Sequence, residues 1–451
     1  MRRTLDGPRP TPLPPEAWPS VTVQLPLFNE PNVAARLIDA VASIDYPGRL
    51  DIQVLDDSTD GTSALVAAGM AAWQARGVAI SHIQRGSREG YKAGALAYGM
   101  ARSDSQFFAV FDADFVPPSD VLTKMVPHFG IASDRVGMVQ ARWAHLNREH
   151  SLLTRAQAIY LDAHFAVESA ARNLSGRFFN FNGTAGIWRR EAIDDAGGWS
   201  ASTLTEDLDL SYRAQLAGWK FVFLPDVEVP AELPAALSGF QEQQHRWAKG
   251  SIQTARKVLP KIVRSDLPLR VKTEAFFHLT NNSAYLLTLA LALLIVPAIV
   301  ARQQLGLLWT MSIDVVLFLT STGSVLRFYV EGQRRAGQRR PTTRELLAVI
   351  PIGIGISIRN SAAVLEGLFE HGGHFRRTPK SGDSGRVVIE RPPRVPIAEL
   401  LLAAFFVAAF GAFAMARQWI ALPFLMLFTG GFVYVAAAGL IERITFSRSV
   451  V

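Results

Sequence analysis

Short apolar runs alternate with amphipathic segments over residues 20–270 of the chain. The apolar runs have the length and composition of β-strands, whereas the segments between them repeat apolar positions with the period of a helix. The predicted strands are 21–25, 51–55, 79–84, 107–111 and 137–141. The predicted helices are 31–42, 62–75, 92–101 and 119–128. Because strands that alternate with helices pair in parallel, the pattern predicts an α/β fold with a doubly wound, mostly parallel sheet.

Residues 276–440 follow a different pattern, with long apolar runs that hold little or no charge. A helix needs about 20 apolar residues to cross the core of a bilayer. We therefore predict a C-terminal α-helical transmembrane region with about four crossings, at 283–301, 305–326, 397–416 and 420–440. Asp314, within the second run, is a functional candidate unless it lies close enough to the outer surface to be hydrated.

The segment 346–370 is also apolar, but Pro351, Arg359 and Glu366 interrupt it. The loop before it, 327–345, holds six Arg, and the loop after it, 371–395, holds five Arg and one Lys. Basic loops tend to stay on the cytoplasmic side of a membrane. Both ends of 346–370 are therefore predicted to be cytoplasmic, so that this segment lies in the interface or re-enters. The alternative is five crossings with one basic loop outside.

These patterns divide the chain into three predicted parts. Residues 1–19 are rich in proline and have no apolar core, which predicts a disordered N-terminus that is neither a signal peptide nor a membrane span. Residues 20–270 are predicted to form a domain on the cytoplasmic side of the inner or plasma membrane. Residues 271–451 are predicted to form the membrane region.

Composition narrows the chemistry. The hydrophobic fraction of 49% is high for a wholly soluble protein, and the absence of cysteine excludes disulfides, thiolate metal sites and cysteine nucleophiles. A net charge of +7 would suit a nucleic-acid-binding protein, but no basic–aromatic module accompanies it. Much of the arginine instead lies beside the apolar segments. We therefore predict no nucleic-acid partner, and expect the lipid bilayer and a phosphate-bearing substrate to be the partners.

Acidic residues follow two of the predicted strands. Asp56 and Asp57 follow the second strand in LDDSTDG, and Asp112 and Asp114 follow the fourth in FDADFVP. Ligands of doubly wound sheets bind at the carboxyl ends of the strands. The D-x-D spacing on an extended segment would direct both side chains the same way. Two such carboxylates suit a hard divalent cation, so we predict that Asp112 and Asp114 bind a metal with phosphate oxygens.

Two further motifs supply charges at predicted helix starts. In GYKAGAL, Lys92 lies where backbone amides favour anions, although alone it would be taken for a surface lysine. In TEDLDL, Glu206 and Asp207 open a helix, and ordinary capping by Thr205 with favourable helix-dipole charges is the alternative interpretation.

The segment QQHRW combines an amide, a guanidinium and an indole in Gln243, Arg246 and Trp247. Gln and Arg suit sugar hydroxyls or phosphate, and Trp suits the apolar face of a sugar ring. By composition alone, the same segment could be an aromatic and basic anchor at a membrane surface.

Taken in order, LPLFNE, LDDSTD, GYKAGAL, FDAD, FNGTAGIWRR, TED and QxxRW resemble the family-2 inverting glycosyltransferases. The sequence is most similar to the cellulose-synthase-like mannan and glucan synthases. The likeness covers about residues 20–255 and resumes at Phe375, Thr378 and Lys380, which match the F-x-x-T-x-K spacing of that family's gating loop, here within 371–395. The resemblance implies a GT-A-like domain.

The resemblance also implies roles for individual residues. Asp57, with Asp56 as a second candidate, would contact the donor nucleoside, and Lys92 would contact its phosphates. Asp112 and Asp114 would hold Mg²⁺ or Mn²⁺ against the diphosphate. Asp207 would be the general base. The residues implied for the acceptor and the departing diphosphate are Glu206, Gln243, Arg246 and Trp247.

The chain departs from the pattern in two places that bear on translocation. No membrane span is predicted before its catalytic domain, and Arg377 stands where the gating loop often has Val. Because QxxRW usually accompanies processive synthesis in that family, the resemblance nevertheless implies a processive β-glycan synthase that uses GDP-mannose or UDP-glucose. The alternatives are a non-processive enzyme that glycosylates a membrane lipid, and a catalytically silent scaffold that senses nucleotide-sugar.

Overall fold

The computed structural model describes residues 15–130, 135–373, 377–382, 385 and 387–449. Within them, seven strands form one sheet in the order β3-β2-β1-β4-β6-β5-β7. The strands are β1 Val21–Leu27, β2 Leu50–Asp56, β3 Ile80–Gln84, β4 Phe107–Val110, β5 Val136–His145, β6 Gly186–Arg189 and β7 Lys220–Ala231. β6 runs antiparallel to β4 and β5, and the other paired strands are parallel. The predicted mostly parallel α/β sheet is confirmed.

Helices cover both faces of this sheet. Those of the first part of the chain are α1 Ala34–Ala42, α2 Thr62–Gln74, α3 Tyr91–Met100, α4 Val121–Met125, α5 Leu152–Ala163, α6 Ala170–Leu174, α7 Arg190–Asp195, α8 Glu206–Leu216 and α9 Leu237–Arg264. A π-helical segment, His164–Ser169, joins α5 to α6. All five predicted strands and all four predicted helices of this part are present, with ends shifted by a few residues.

The two faces of β1 show how the sheet holds the site in place. Val21, Val23 and Leu25 are fully buried on one face, as alternation in a strand requires. On the other face, Gln24 donates to the carbonyl of Leu96 at 3.1 Å and to the side chain of Gln53 at 3.1 Å. The bond to Leu96 fixes α3 to the sheet and the bond to Gln53 joins β1 to β2, and each contributes on the order of 1 kcal/mol. The start of α3, which carries Lys92, is thereby held at the carboxyl end of β1.

The rest of the described chain is helical. The helices are α10 Leu269–Thr280, α11 Ala284–Gln304, α12 Met311–Arg335, α13 Thr343–Gly355, α14 Ser357–Phe369, α15 Ile397–Met415 and α16 Leu422–Ser449. Four stretches are long and apolar enough to cross a membrane, namely Leu269–Gln304, Leu308–Arg335, Ile397–Met415 and Trp419–Ser447. Each contains most or all of one predicted span. The helical C-terminal region is therefore confirmed.

The interrupted segment 346–370 corresponds to α13 and α14, which are bent by 47° relative to each other. The pair would be a fifth crossing if it formed one span. Pro351 lies inside α13, where a proline removes a backbone hydrogen bond and favours a bend. On α14, Glu366 accepts from Lys249 of α9 at 3.0 Å, which ties the pair to the part of the chain that contains the sheet. The number of crossings stays a prediction.

Asp314 has a structural partner. It lies in the first turn of α12 and forms an ion pair with Arg302 at the end of α11. Both side chains are about one-third exposed. This position at a helix end agrees with the hydrated, structural interpretation, because the pair lies next to a turn instead of in the middle of a span.

Candidate active site

A cavity opens at the edge of the sheet where β1, β2 and β4 end, and most of the predicted site residues line it. Those that line it are Asp57, Lys92, Asp112, Asp114, Glu206, Asp207, Gln243, Arg246, Trp247, Thr378 and Lys380. They come from segments that are far apart in the chain. Asp56 does not line the cavity, and Phe375 lies outside the described residues.

Asp56 and Asp57 are adjacent in sequence but differ in environment. Asp56 is 2% exposed, accepts from the backbone N–H of Ser58 at 2.9 Å and lies 2.8 Å from His82 Nε2. Burial alone would raise its pKa, but the hydrogen bonds from Ser58 and His82, with one from Ser63, hold that pKa below its ordinary value. Its carboxylate oxygens are therefore occupied by hydrogen bonds at the end of β2 and do not face the cavity. Asp57 faces the cavity and accepts from Arg85 Nε at 2.9 Å.

The two carboxylates of FDAD are each paired with a lysine. Asp112 accepts from Lys92 Nζ, and Asp114 accepts from Lys380 Nζ at 2.7 Å. β4 ends at Val110, so the two acids lie in a turn and not on the extended segment that the spacing suggested. Both side chains nevertheless line the same cavity, since the turn carries them over the edge of the sheet.

The loop after α6 brings a carbonyl and a glycine into the cavity. The carbonyl of Gly183 accepts from Lys92 Nζ at 2.8 Å. Buried Gln140 sets the shape of this loop, because its amide donates to the carbonyl of Thr184 at 3.0 Å and accepts from the N–H of Asn182 at 3.0 Å. The hydroxyl of Thr184 in turn accepts from the N–H of Asp112 at 2.9 Å. The loop therefore fixes the lysine and the first aspartate relative to each other.

Glu206 and Asp207 begin α8 and face the cavity. Thr205 precedes the helix but forms no side-chain cap, and its hydroxyl instead lies 3.2 Å from that of Thr254 on α9. Ordinary capping by Thr205 therefore does not explain this motif. Burial, and then the neighbouring negative charge of Glu206, raise the pKa of Asp207 to about 7, against the opposing effect of Lys92. A carboxylate with such a pKa is well suited to accept a proton near neutral pH.

The QxxRW residues come from the first half of α9. Gln243, Arg246 and Trp247 are three and four positions apart, so they share one face of the helix, and all three line the cavity. The negative charges of Glu206 and Asp112 act on the Arg246 guanidinium. An amide, a guanidinium and an indole therefore face the paired carboxylates across the cavity.

The segment 377–382 lies over the same cavity and is held there by several contacts. The side-chain amide of Asn32 donates to the carbonyl of Lys380 at 3.0 Å, and the N–H of Ser381 donates to Glu232 at 3.0 Å. Thr378 is 5% exposed. Lys380 and Thr378 therefore belong to the cavity wall, and their role as part of a gating loop stays a prediction.

Sequence reasoning missed two acids in this wall. Glu30 follows β1, and burial raises its pKa to about 8 against the charges of Lys380 and Arg377. Glu232 follows β7 and forms an ion pair with Arg36 at 2.5 Å. The position of Glu30 directly after LPLFN, at the end of the first strand, was a usable signal. Glu232 gave no such signal, because β7, the strand that it follows, was not predicted.

The carboxylate oxygens of Asp112 and Asp114 are the kind of ligand atom that a divalent cation prefers. The two residues offer these hard oxygens in a cavity that can also admit phosphate. In the part of the chain that the structure describes, no group of three or more His, Cys, Asp or Glu residues could hold a metal by itself. A cation here would accordingly take its other ligands from the substrate and water, as Mg²⁺ does at many phosphate sites.

We expect Gly183→Ala to reduce any catalytic turnover in this cavity by tenfold to about a hundredfold. The new Cβ would lie 2.9 Å from Asp207 Oδ2 and 3.6 Å from Lys92 Nζ, at a φ of +83° that disfavours Ala. Gly176→Ala is the matched control, because its φ is +66° but no atom lies within 4 Å of the new Cβ. Initial rates that fall equally in both variants would attribute the loss to backbone strain alone.

Comparison with known proteins adds to this geometry. The family model described as Glycosyltransferase like family 2 matches residues 19–250. Glucomannan 4-beta-mannosyltransferase 1 of Oryza sativa subsp. japonica is 43% identical over 291 residues, which are 62% of this chain and 56% of that protein. Glucomannan 4-beta-mannosyltransferase 1 of Cyamopsis tetragonoloba is 38% identical over 317 residues, 68% of this chain and 60% of that protein. The chain thus spans little more than half the length of these relatives.

A solved structure shares the fold. A mannosyltransferase from Pyrobaculum calidifontis, in complex with GDP-Man and Mn²⁺, is similar with a TM-score of 0.53 and 21% sequence identity. The likeness covers 82% of this chain and 92% of that one. It confirms the predicted GT-A-like architecture.

Proposed function

The chain belongs to glycosyltransferase family 2, and from that premise we propose a membrane-embedded, inverting enzyme that transfers a hexose from a nucleotide-sugar to a growing β-linked polysaccharide. One observation carries the proposal. Two lysine-paired aspartates, a carboxylate whose pKa is raised to about 7 and a Gln–Arg–Trp face converge on one cavity. One cavity therefore holds side chains that can bind a diphosphate, accept a proton and bind a sugar.

We assign the residues of the cavity to a donor side and an acceptor side. On the donor side, Asp57 binds the nucleoside, and Lys92 and Lys380 bind the phosphates. Asp112 and Asp114 would hold Mg²⁺ or Mn²⁺, which when bound neutralises the leaving diphosphate. Both lysines would then exchange a carboxylate partner for phosphate oxygens, which are likewise anionic hydrogen-bond acceptors.

On the acceptor side, Asp207 takes the proton from the attacking hydroxyl as that oxygen bonds to the anomeric carbon. The bond from this carbon to the diphosphate oxygen breaks in the same in-line step, which inverts the configuration. Gln243 and Arg246, with Glu206, orient the diphosphate and the acceptor, and Trp247 packs on a sugar ring. No covalent nucleophile is needed.

The identity of the sugar rests on the relatives. They are named as glucomannan 4-beta-mannosyltransferases and are 38% to 46% identical to this chain, which favours GDP-mannose over UDP-glucose as the donor. Incubation of the protein in nanodiscs with a panel of nucleotide-sugars, with and without Mn²⁺, tests this. We expect release of nucleoside diphosphate with GDP-mannose and Mn²⁺. If no nucleotide-sugar of the panel yields nucleoside diphosphate, the result would support the alternative of a catalytically silent scaffold that senses nucleotide-sugar.

The proposal assigns residues 20–270 to a catalytic domain on the cytoplasmic side and residues 271–451 to the membrane region. The two basic loops support this orientation, since both flank the bent pair α13–α14 and both would lie with the catalytic domain. It assigns four crossings, with the bent pair in the interface. Cysteine-accessibility labelling at Arg340 and at Arg417 tests it, because only the second should react from the outside.

The position of segment 377–382 supports the proposal of processive synthesis. The segment is hydrogen-bonded over the cavity, where it could contact each donor molecule that binds. Incubation with radiolabelled donor should yield a long β-linked product. A single-sugar lipid on thin-layer chromatography would instead support the alternative, a non-processive glycolipid synthase.

We expect turnover to fall as the pH drops below about 7. Asp207 accepts a proton only in its ionised form, and burial with the charge of Glu206 raises its pKa to about 7, so the active fraction decreases on the acid side. Glu206→Gln removes the repelling charge, and the acid limb should therefore move to lower pH. Rates that stay constant down to about pH 5, near the ordinary range of carboxyl groups, would contradict this assignment.

A further inference from the structure

A second cavity lies beside the catalytic one, on the side of the membrane helices. Pro234 and Arg377 line both cavities, so the two share a wall. The second cavity lies among the start of α9, α14 and the chain that leads into α15. Its charged lining residues are Glu242, Arg359, Arg377, Glu390, Arg391 and Arg394. Arginine therefore outnumbers acid in its wall by four to two.

The two acids are already engaged by arginines. The Arg359 guanidinium lies 3.6 Å from Glu242, and Arg377 forms an ion pair with Glu390. Arg391 and Arg394 are exposed, and neither has a hydrogen-bond or ion-pair partner among the described residues. The cavity therefore presents two guanidinium groups whose charge no acid of the described chain neutralises.

The position of these two arginines relative to the membrane helices is fixed. Arg394 lies three residues before Ile397, the first residue of α15. Arg443 of α16 donates to the carbonyl of Pro393 at 2.8 Å, which ties this segment to a second membrane-type helix. Arginines directly beside the end of a membrane helix lie at the level of the lipid headgroups.

We propose that this cavity binds the phosphate-bearing headgroup of an anionic lipid. Guanidinium groups bind phosphate with paired hydrogen bonds, and basic pockets between membrane helices at the surface of a bilayer suit such headgroups. A neutral glycan would fit poorly, because the described lining has no aromatic ring on which a sugar could stack. The proposal goes beyond the glycosyltransferase activity and does not depend on it.

Native mass spectrometry of the purified full chain, titrated with phosphatidylglycerol, tests the site. Arg391→Gln/Arg394→Gln should weaken binding of the lipid about thirtyfold, since each basic residue at a bilayer surface contributes a little over a factor of five. The matched control is Arg340→Gln/Arg344→Gln, which removes the same charge from the other basic loop. That control should bind within about twofold of the wild type. Equal losses in both double variants would overturn the proposal.

Two further arms separate the source of the phosphate and the role of charge. Inorganic phosphate should not displace the bound lipid, and displacement at matched concentration would assign the cavity to a soluble phosphate compound instead. Arg391→Lys/Arg394→Lys retains both charges and should bind within about fivefold of the wild type. If the lysine variant binds as weakly as the glutamine variant, the two positive charges contribute nothing to binding, and recognition of an anionic headgroup by charge is wrong.

Discussion

Asp207→Asn should lower transfer by roughly a hundredfold to ten-thousandfold while donor binding stays close to that of the wild type. A general base contributes roughly 10² to 10⁴ in rate, and Asn has almost the same shape but cannot take up a proton. The backbone N–H of Leu208, which donates to Asp207 Oδ1 at 2.8 Å, can still donate to the amide oxygen of Asn. Initial rates with saturating donor, together with calorimetric titration of nucleoside diphosphate, measure the two quantities separately.

Asp209→Asn is the matched control for this variant. Asp209 lies two residues further along α8, fully buried, and forms ion pairs with Arg213 and Lys257 outside the cavity. Its replacement should lower the free energy of unfolding by about 3 kcal/mol, because it breaks buried ion pairs. The folded fraction should retain turnover. Near-normal transfer by Asp207→Asn would contradict the assignment of Asp207 as the general base.

The double variant Asp112→Asn/Asp114→Asn should lose turnover by about a thousandfold or more, with loss of any dependence on Mn²⁺. The two carboxylates are the oxygen donors that the cavity offers to a cation beside the phosphates. Their neutralisation also leaves Lys92 and Lys380 without their anionic partners. The product assay with and without Mn²⁺ measures the effect.

Asp120→Asn controls for a change of charge in the same part of the chain. Asp120 follows the same strand but is half-exposed and pairs with Lys124 away from the cavity. An exposed pair of this kind contributes less than about 1 kcal/mol, so this variant should keep both its stability and its turnover. Strong Mn²⁺ stimulation that persists in the double variant would show that the metal binds elsewhere.

The sequence predicted the parts of the fold that depend on local pattern. β1, β2 and β4 are apolar runs of the right length, and they are present with ends shifted by one or two residues. β6 and β7 were not predicted. β6 is four residues long, and the buried apolar start of β7, residues 221–224, is followed by a stretch that Pro225, Asp226 and Glu228 interrupt. Their pairing with β4 and β5 overrides weak local signals.

The candidate site was predicted where a motif stood at the end of a strand or the start of a helix. Lys92, Asp112 and Asp207 are of this kind, and they line one cavity. Asp56 shows the limit of such reasoning, since two adjacent acids at the end of a strand necessarily differ in direction and only one can face the cavity. The sequence pattern alone does not show which of the two acids faces the cavity.

Contacts between distant parts of the chain could not be predicted. Lys380 reaches Asp114 across 266 residues, and no local pattern relates the two. Arg377, where the gating loop often has Val, lines both cavities and pairs with Glu390. The consequences of such a substitution depend on which segments fold together, and only the three-dimensional arrangement supplies this.

The binding of nucleoside diphosphate with and without Mn²⁺ tests the central claim most directly. In calorimetric titrations of the wild type, we expect GDP to bind at least tenfold more tightly with Mn²⁺ than without, because a cation between the FDAD carboxylates and the diphosphate binds both. In Asp112→Asn/Asp114→Asn, the ion should make no difference. Equal affinities with and without Mn²⁺ in the wild type would contradict the account.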